Sequence, residues 1–166
     1  IINLSSPNDF VRTVEQPHGT GEKFSSNDLS ASITYAKMLT DRFSLGGSFK
    51  FIQQSIWHSN AKTFAVDIGT LFETPFNGIR LGASISNYGG KMRMQGRDQK
   101  ISVDPDNNNE GNVEFVNAMY ETEYFSLPLF FRVGLSGELI KTESLSLTEG
   151  IDALHPNDNT EYLNLG

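Results

Sequence analysis

The side chains best suited to proton transfer or metal ligation are three histidines, His18, His58 and His155, and none stands at a metal-ligand spacing from another. Each falls in a stretch that reads as exposed loop. Cysteine is absent, so thiolate chemistry and disulfides are excluded, and a nucleophile would have to be Ser or Thr beside a His. No nucleophile-elbow pattern occurs. Gly19-Thr20-Gly21 is too short to cradle a phosphate and no Lys follows it, so it reads as a turn. The run from Asp104 to Glu110 sets oxygen ligands at alternate positions, Asp104, Asp106, Asn108 and Glu110, which could hold Ca²⁺ in a surface loop. It lacks the glycine at the sixth position and the acid at the twelfth that an EF-hand loop requires, so a solvated Asn/Asp turn is the plainer reading. Neither an enzyme nor a resident metal or cofactor is expected.

Single charges recur at Lys50, Asp67, Arg80, Arg132, Glu138 and Asp152, each set among Ser and Gly. Their neighbours alternate with period two, the mark of strands whose two faces meet different surroundings. From 29 to 37, Leu29, Ala31, Ile33 and Tyr35 interleave with Ser30, Ser32 and Thr34; from 43 to 57, Phe43, Leu45, Phe49 and Phe51 interleave with Ser44, Gly46, Ser48 and Lys50. The plan repeats with Phe64, Val66, Ile68 and Phe72 against Ala65, Asp67 and Gly69, and with Ile79, Leu81, Ala83 and Ile85 against Arg80, Gly82, Ser84 and Ser86. It returns at 127 to 139 and at 145 to 153, and Tyr162–Gly166 begins another strand. No comparable stretch follows the helical spacing. The expected fold class is all-β: an antiparallel, up-and-down transmembrane β-barrel, of which residues 1–166 supply about six or seven strands as part of one domain.

The bulk numbers agree with this reading. Mean hydropathy is −0.33 with 37% hydrophobic residues, and no window approaches the 18 apolar residues of a membrane helix. A membrane barrel escapes that test because lipid-facing and lumen-facing residues alternate and cancel. A net charge of −7, without clustered Lys and Arg, argues against nucleic acid as a partner. Ile1-Ile2-Asn3-Leu4 carries no start Met and no leader pattern, which reads as a fragment or as a chain whose leader was removed.

Connection lengths supply a second argument. Short turns are expected at 39–41, 74–77 and 140–144, interleaved with polar loops at 14–28, 58–61, 89–125 and 154–160, as in outer-membrane barrels with short periplasmic turns. Thr40, Asn77 and Glu143 would then face the periplasm. Trp57, Tyr88, Tyr124 and Phe125 would mark the outer rim, and Phe43, Phe72 and Phe76 the inner one. A soluble β-sandwich also alternates, but its polar face is usually rich in Lys, Glu and Thr, whereas this one is rich in Ser and Gly with isolated charges of both signs. Lys50, Arg80 and Arg132 would attract an anionic head group if they are not engaged in pairs. Glu149 stands in the apolar register, which calls for a bulge, a register shift or an interface position there. Because lipid leaves no backbone group unsatisfied and small barrels have about eight strands, further strands are expected on both sides.

Four segments carry a resemblance to a known family. They are YAKMLTDRFSLGGSFKFIQQSIW from Tyr35 to Trp57, DIGTLFETPFNGIRLGASISNYGGKMRMQG from Asp67 to Gly96, FSLPLFFRVGLSGEL and IDALHPNDNTEYLNLG. With Thr13-Val14-Glu15-Gln16-Pro17 and Gly19-Thr20-Gly21 they resemble the PorV/PorQ family of Bacteroidota-type outer-membrane proteins; Thr148-Glu149-Gly150 departs from its small or apolar pattern. The resemblance implies a barrel related to FadL-type transporters of hydrophobic molecules. It also implies work in type IX secretion, where the barrel receives exported cargo proteins at the cell surface. The expected partners are therefore the lipid bilayer and secreted cargo or other secretion components.

Overall fold

A computed structural model describes residues 1–76, 78–104, 115–142 and 145–166. Among them every regular element is a strand except one 3₁₀ turn, Arg97–Gln99: β1 (Ile2–Ser5), β2 (Asp9–Phe10), β3 (Lys23–Phe24), β4 (Ser26–Thr40), β5 (Phe43–Ile56), β6 (Ser59–Glu73), β7 (Arg80–Gly89), β8 (Gln95–Gly96), β9 (Lys100–Val103), β10 (Val116–Met119), β11 (Phe130–Lys141), β12 (Ser146–Pro156) and β13 (Tyr162–Leu165). The protein is all-β. Its main sheet runs β1-β4-β5-β6-β7-β11-β12-β13, with β8 added to β6, and every pairing whose register is described is antiparallel. Among the described residues the sheet does not close on itself.

The chain divides into two compact units. The first, residues 1–30, 52–63 and 91–125, contains β1 against the start of β4, the β2–β3 and β9–β10 pairs, and β8 against Ser59 and Asn60. Its buried residues are Ala61, Thr63 and Met92, and Met92 bridges to Phe125. The second unit, residues 31–51, 64–90 and 126–166, holds the long meander.

Turn chemistry in the second unit follows the sequence closely. The β4–β5 turn is Asp41–Arg42, and the Thr40 hydroxyl oxygen accepts the backbone N–H of Phe43 at 3.1 Å, the local bond that makes Thr a turn residue. Thr74 donates its backbone N–H to the Ile79 carbonyl and closes the β6–β7 turn with Gly78 at φ 67°. In the β11–β12 turn the Thr142 hydroxyl accepts the Leu145 N–H at 3.0 Å. The expected periplasmic markers Asn77 and Glu143 lie outside the described residues.

All four expected loops contain strand residues. Polar residues 58–61 do not form a loop: Trp57 and His58 make a tight turn, Trp57 at φ 51°, and β6 starts at Ser59. Polarity misleads there because Ser59 and Asn60 belong to a strand ladder with Gly96 and Gln95, whose backbone bonds do not depend on side-chain hydropathy. The strict alternation of short and long connections fails at this turn. Likewise β4 begins at Ser26 inside the expected loop 14–28, β8, β9 and β10 lie within 89–125, and β12 continues to Pro156, which puts His155 in a strand.

Two irregularities keep the side-chain faces in step. On β7, Ile85 opposes Ile68 and Tyr88 opposes Val66, so two residues, Ser86 and Asn87, face the single Asp67. This β-bulge flips parity, and Tyr88 continues the face that Leu81, Ala83 and Ile85 began. Asn87 takes φ 63°, which Asn tolerates better than most side chains. A second shift falls on β11 between Glu138 and Ile140, one residue from Gly137, which stands opposite Glu149. That shift lies on the turn side of the Gly137–Glu149 pair and leaves Glu149 in the apolar register.

Candidate functional site

Cross-strand register sorts the second unit into two faces. On one, Leu135 opposes Leu81 and Ile151, Val133 opposes Ala83 and Ala153, Phe131 opposes Ile85, Phe72 opposes Leu81, and Leu165 and Leu163 oppose Ile151 and Ala153. The large side chains of these rows are open: exposure runs from 39% at Phe72 through 42% at Leu135 to 79% at Leu165. Among the described residues buried hydrophobic side chains are few, with Ala65, Leu127 and Leu154 in this unit.

The opposite face carries the six charges picked out by sequence, whereas Glu149, opposite Gly137, and His155, opposite Phe131, stand in the apolar rows. Lys50 Nζ lies 2.7 Å from Asp67 Oδ1 and donates to Asn87 Oδ1 at 2.5 Å. Asp67 Oδ1 also accepts the Asn87 backbone N–H at 2.8 Å, and Asn87 Nδ2 donates to the Pro128 carbonyl at 2.8 Å. One cation, one acid and one amide thus fix the left-handed residue of the bulge and tie β5, β6 and β7 to the approach of β11. The pair is well covered, with side chains 16% and 28% exposed.

Arg132 Nε lies 3.4 Å from Asp152 Oδ2, which also accepts Asn164 Nδ2 at 3.4 Å. Arg80 Nε pairs with Glu73 Oε1 at 3.2 Å, both about half exposed. Glu138 is half-buried on β11 and its carboxylate stands beside Gly78. Of the six charges picked out by sequence, the structure therefore joins Lys50 to Asp67 and Arg132 to Asp152. It gives Arg80 a partner, Glu73, that the sequence reading passed over because Glu73 borders a turn. Asn87 is hard to single out by sequence, since a polar residue breaking the alternation resembles a strand end; the three-residue step from Ile85 to Tyr88 is the signal that marks it.

Between these pairs runs a groove of about 630 Å³, where Arg80, Arg132, Asp152 and Asn164 meet the aliphatic side of Leu45, Leu135, Ile151 and Leu165, with Leu71 opposite Gly82. Thr34 and Ser48 hydroxyls share a 2.8 Å hydrogen bond on the same polar side. The arrangement offers guanidinium groups and hydroxyls to a polar solute and several aliphatic side chains to an apolar segment.

For the calcium reading, Asp104 follows β9 directly, whereas Asp106, Asn108 and Glu110 lie outside the described residues. Among the described residues no three His, Asp or Glu side chains are grouped to hold a metal ion. His58 Nδ1 lies 2.7 Å from Asp98 Oδ2, its Nε2 2.5 Å from Arg97 Nη2, and its ring stacks on Trp57. His155 Nδ1 lies 2.8 Å from Glu161. His18 is exposed.

Comparisons with family models, curated proteins and solved structures found no match.

Proposed function

We propose that this chain belongs to a non-enzymatic outer-membrane β-barrel of PorV/PorQ type, whose apolar rows contact lipid and whose polar face lines the lumen. The observation that carries the reading is the open apolar face. If each of its large side chains still withholds about 1 kcal/mol of burial free energy, half its full value, the rows together forgo about as much as a domain's net stability. Such a face needs a cover, and among the described residues of its own unit no second sheet or helix layer supplies one, as a soluble β-sandwich module would require. Lipid meets the need along its whole length. The long strands β4, β5, β6, β7, β11 and β12 have 10 to 15 residues, and a tilted strand spans the hydrocarbon core with about 9 to 11. Lipid also requires the open sheet edges to find partners, hence further strands.

The role follows from the sequence resemblance: reception of exported cargo proteins at the cell surface in type IX secretion. The groove beside Arg80 and Arg132, with Leu71 in it, favours a second reading, a FadL-like barrel that carries an amphipathic small molecule with an anionic head. Nucleic acid has no place in either. Fractionation of the full-length protein tests the first claim: it should stay with the outer membrane after carbonate wash and leave only in detergent. Photo-crosslinking in intact cells then separates the roles, since a secretion barrel captures exported proteins and a transporter captures lipid or fatty acid. Recovery in the aqueous fraction without detergent overturns the barrel.

A further inference from the structure

The first unit contains a small polar cavity of about 280 Å³ lined by Asn60, Ala61, Lys62, Lys91, Met92, Arg93, Gln95 and Tyr124. Three of its residues are cationic and none is acidic, in a chain whose net charge is −7. Arg93 is preorganised: Nη1 pairs with Glu121, the guanidinium lies 4.9 Å over the Tyr124 ring, and its side chain is 17% exposed. With the Gln95 amide turned so that its oxygen faces Arg93, it accepts Nη2 at 2.6 Å and Nε at 2.9 Å. Lys62 and Lys91 are exposed at the cavity mouth, and among the described residues they have no ion-pair partner. Counting Glu121 against Arg93, two cationic charges at the cavity have no acidic partner among the described residues.

We infer that this cavity binds a phosphomonoester, a dianion near pH 7 whose oxygens match clustered Lys and Arg donors. The cavity is smaller than the 300–1,000 Å³ of typical drug-sized sites, so it takes a head group and leaves any attached chain outside. Asn60 and Gln95 supply amides for a sugar hydroxyl. The ligand is either a soluble phosphosugar or the phosphorylated sugar of a glycolipid. The inference stands apart from the barrel reading, because the cavity's residues all belong to the first unit.

The test titrates the full-length protein, in zwitterionic micelles, with inorganic phosphate, glucose 1-phosphate and a phosphate-bearing glycolipid, read by calorimetry. Lys62→Gln/Lys91→Gln should weaken every interaction seen at least tenfold, each single change about threefold, and Lys37→Gln should change nothing. Binding of glucose 1-phosphate that the double variant loses supports a soluble ligand; glycolipid binding alone, lost likewise, supports a lipid-borne one. No saturable binding by any of the three, or binding unchanged in a double variant with the parent's circular dichroism, overturns the inference. A water-soluble protein that still binds glucose 1-phosphate would sink the barrel and leave this site standing.

Discussion

The Lys50–Asp67 pair should couple more strongly than any other charge pair described on the polar face. Two unit charges 2.7 Å apart attract by about 6 kcal/mol at an effective dielectric near 20. Desolvation removes much of that gain, and a coupling of about 2 kcal/mol is expected. Arg80 and Glu73, half exposed at 3.2 Å, should couple by at most about 1 kcal/mol. The cycle uses Lys50→Met, Asp67→Asn and the double variant, with Arg80→Met and Glu73→Gln as the reference cycle, all followed by urea unfolding in one detergent. Either single change at the covered pair should cost about 2–4 kcal/mol, because it strands a partner that also serves Asn87. The double variant should cost clearly less than the two losses combined. A Lys50–Asp67 coupling no larger than that of Arg80–Glu73 would refute the reasoning that coverage sets the strength.

Three further outcomes follow from the same geometry. Asn87→Ala loses the bonds to Lys50 and Pro128 and places a Cβ residue without local compensation at φ 63°, so it should cost about 3 kcal/mol in urea unfolding; Asn87→Gly should recover about 1 kcal/mol of it. Val133→Arg, on the apolar rows, should destabilise the protein in lipid vesicles by about 2–4 kcal/mol, whereas Ser136→Arg on the polar face should change stability by less than about 1 kcal/mol. Glu149→Leu, opposite Gly137 and beside the bulge, should leave stability in vesicles within about 1 kcal/mol of the parent, or raise it.

The sequence reading reached the faces before the ends. Phe131, Val133 and Leu135 alternate cleanly with Arg132, Gly134 and Ser136, and register depends on that parity, so face assignment followed directly. The break at Asn87 shows in the sequence only as the three-residue step from Ile85 to Tyr88, because the bulge itself is specified by one left-handed residue and its distant partners, Lys50, Asp67 and Pro128, and local hydropathy records none of them. Strand starts at Ser26 and Ser59 were hidden for a related reason: polar strands pair through backbone alone. The cationic cavity escaped notice because Lys62, Lys91, Arg93 and their neighbours become adjacent only when β8 joins β6 and Met92 bridges to Phe125. What the sequence did expose were side chains answering to the same solvent along a single strand.

The absence of cysteine allows a direct measurement of what each face touches. Single nitroxide labels at Ser84, Ile85, Ser86 and Tyr88 and along Phe131–Ser136 would be scanned in bilayers for collision with oxygen, which concentrates in lipid, and with a water-soluble nickel complex. Oxygen collisions should peak at Ile85 and again three residues on at Tyr88, across the bulge, and at Phe131, Val133 and Leu135, with the nickel complex favouring Ser84, Arg132 and Ser136. Labels at Val133 and Leu135 that meet neither reagent, or meet the nickel complex as freely as Arg132 does, would contradict a lipid-facing sheet.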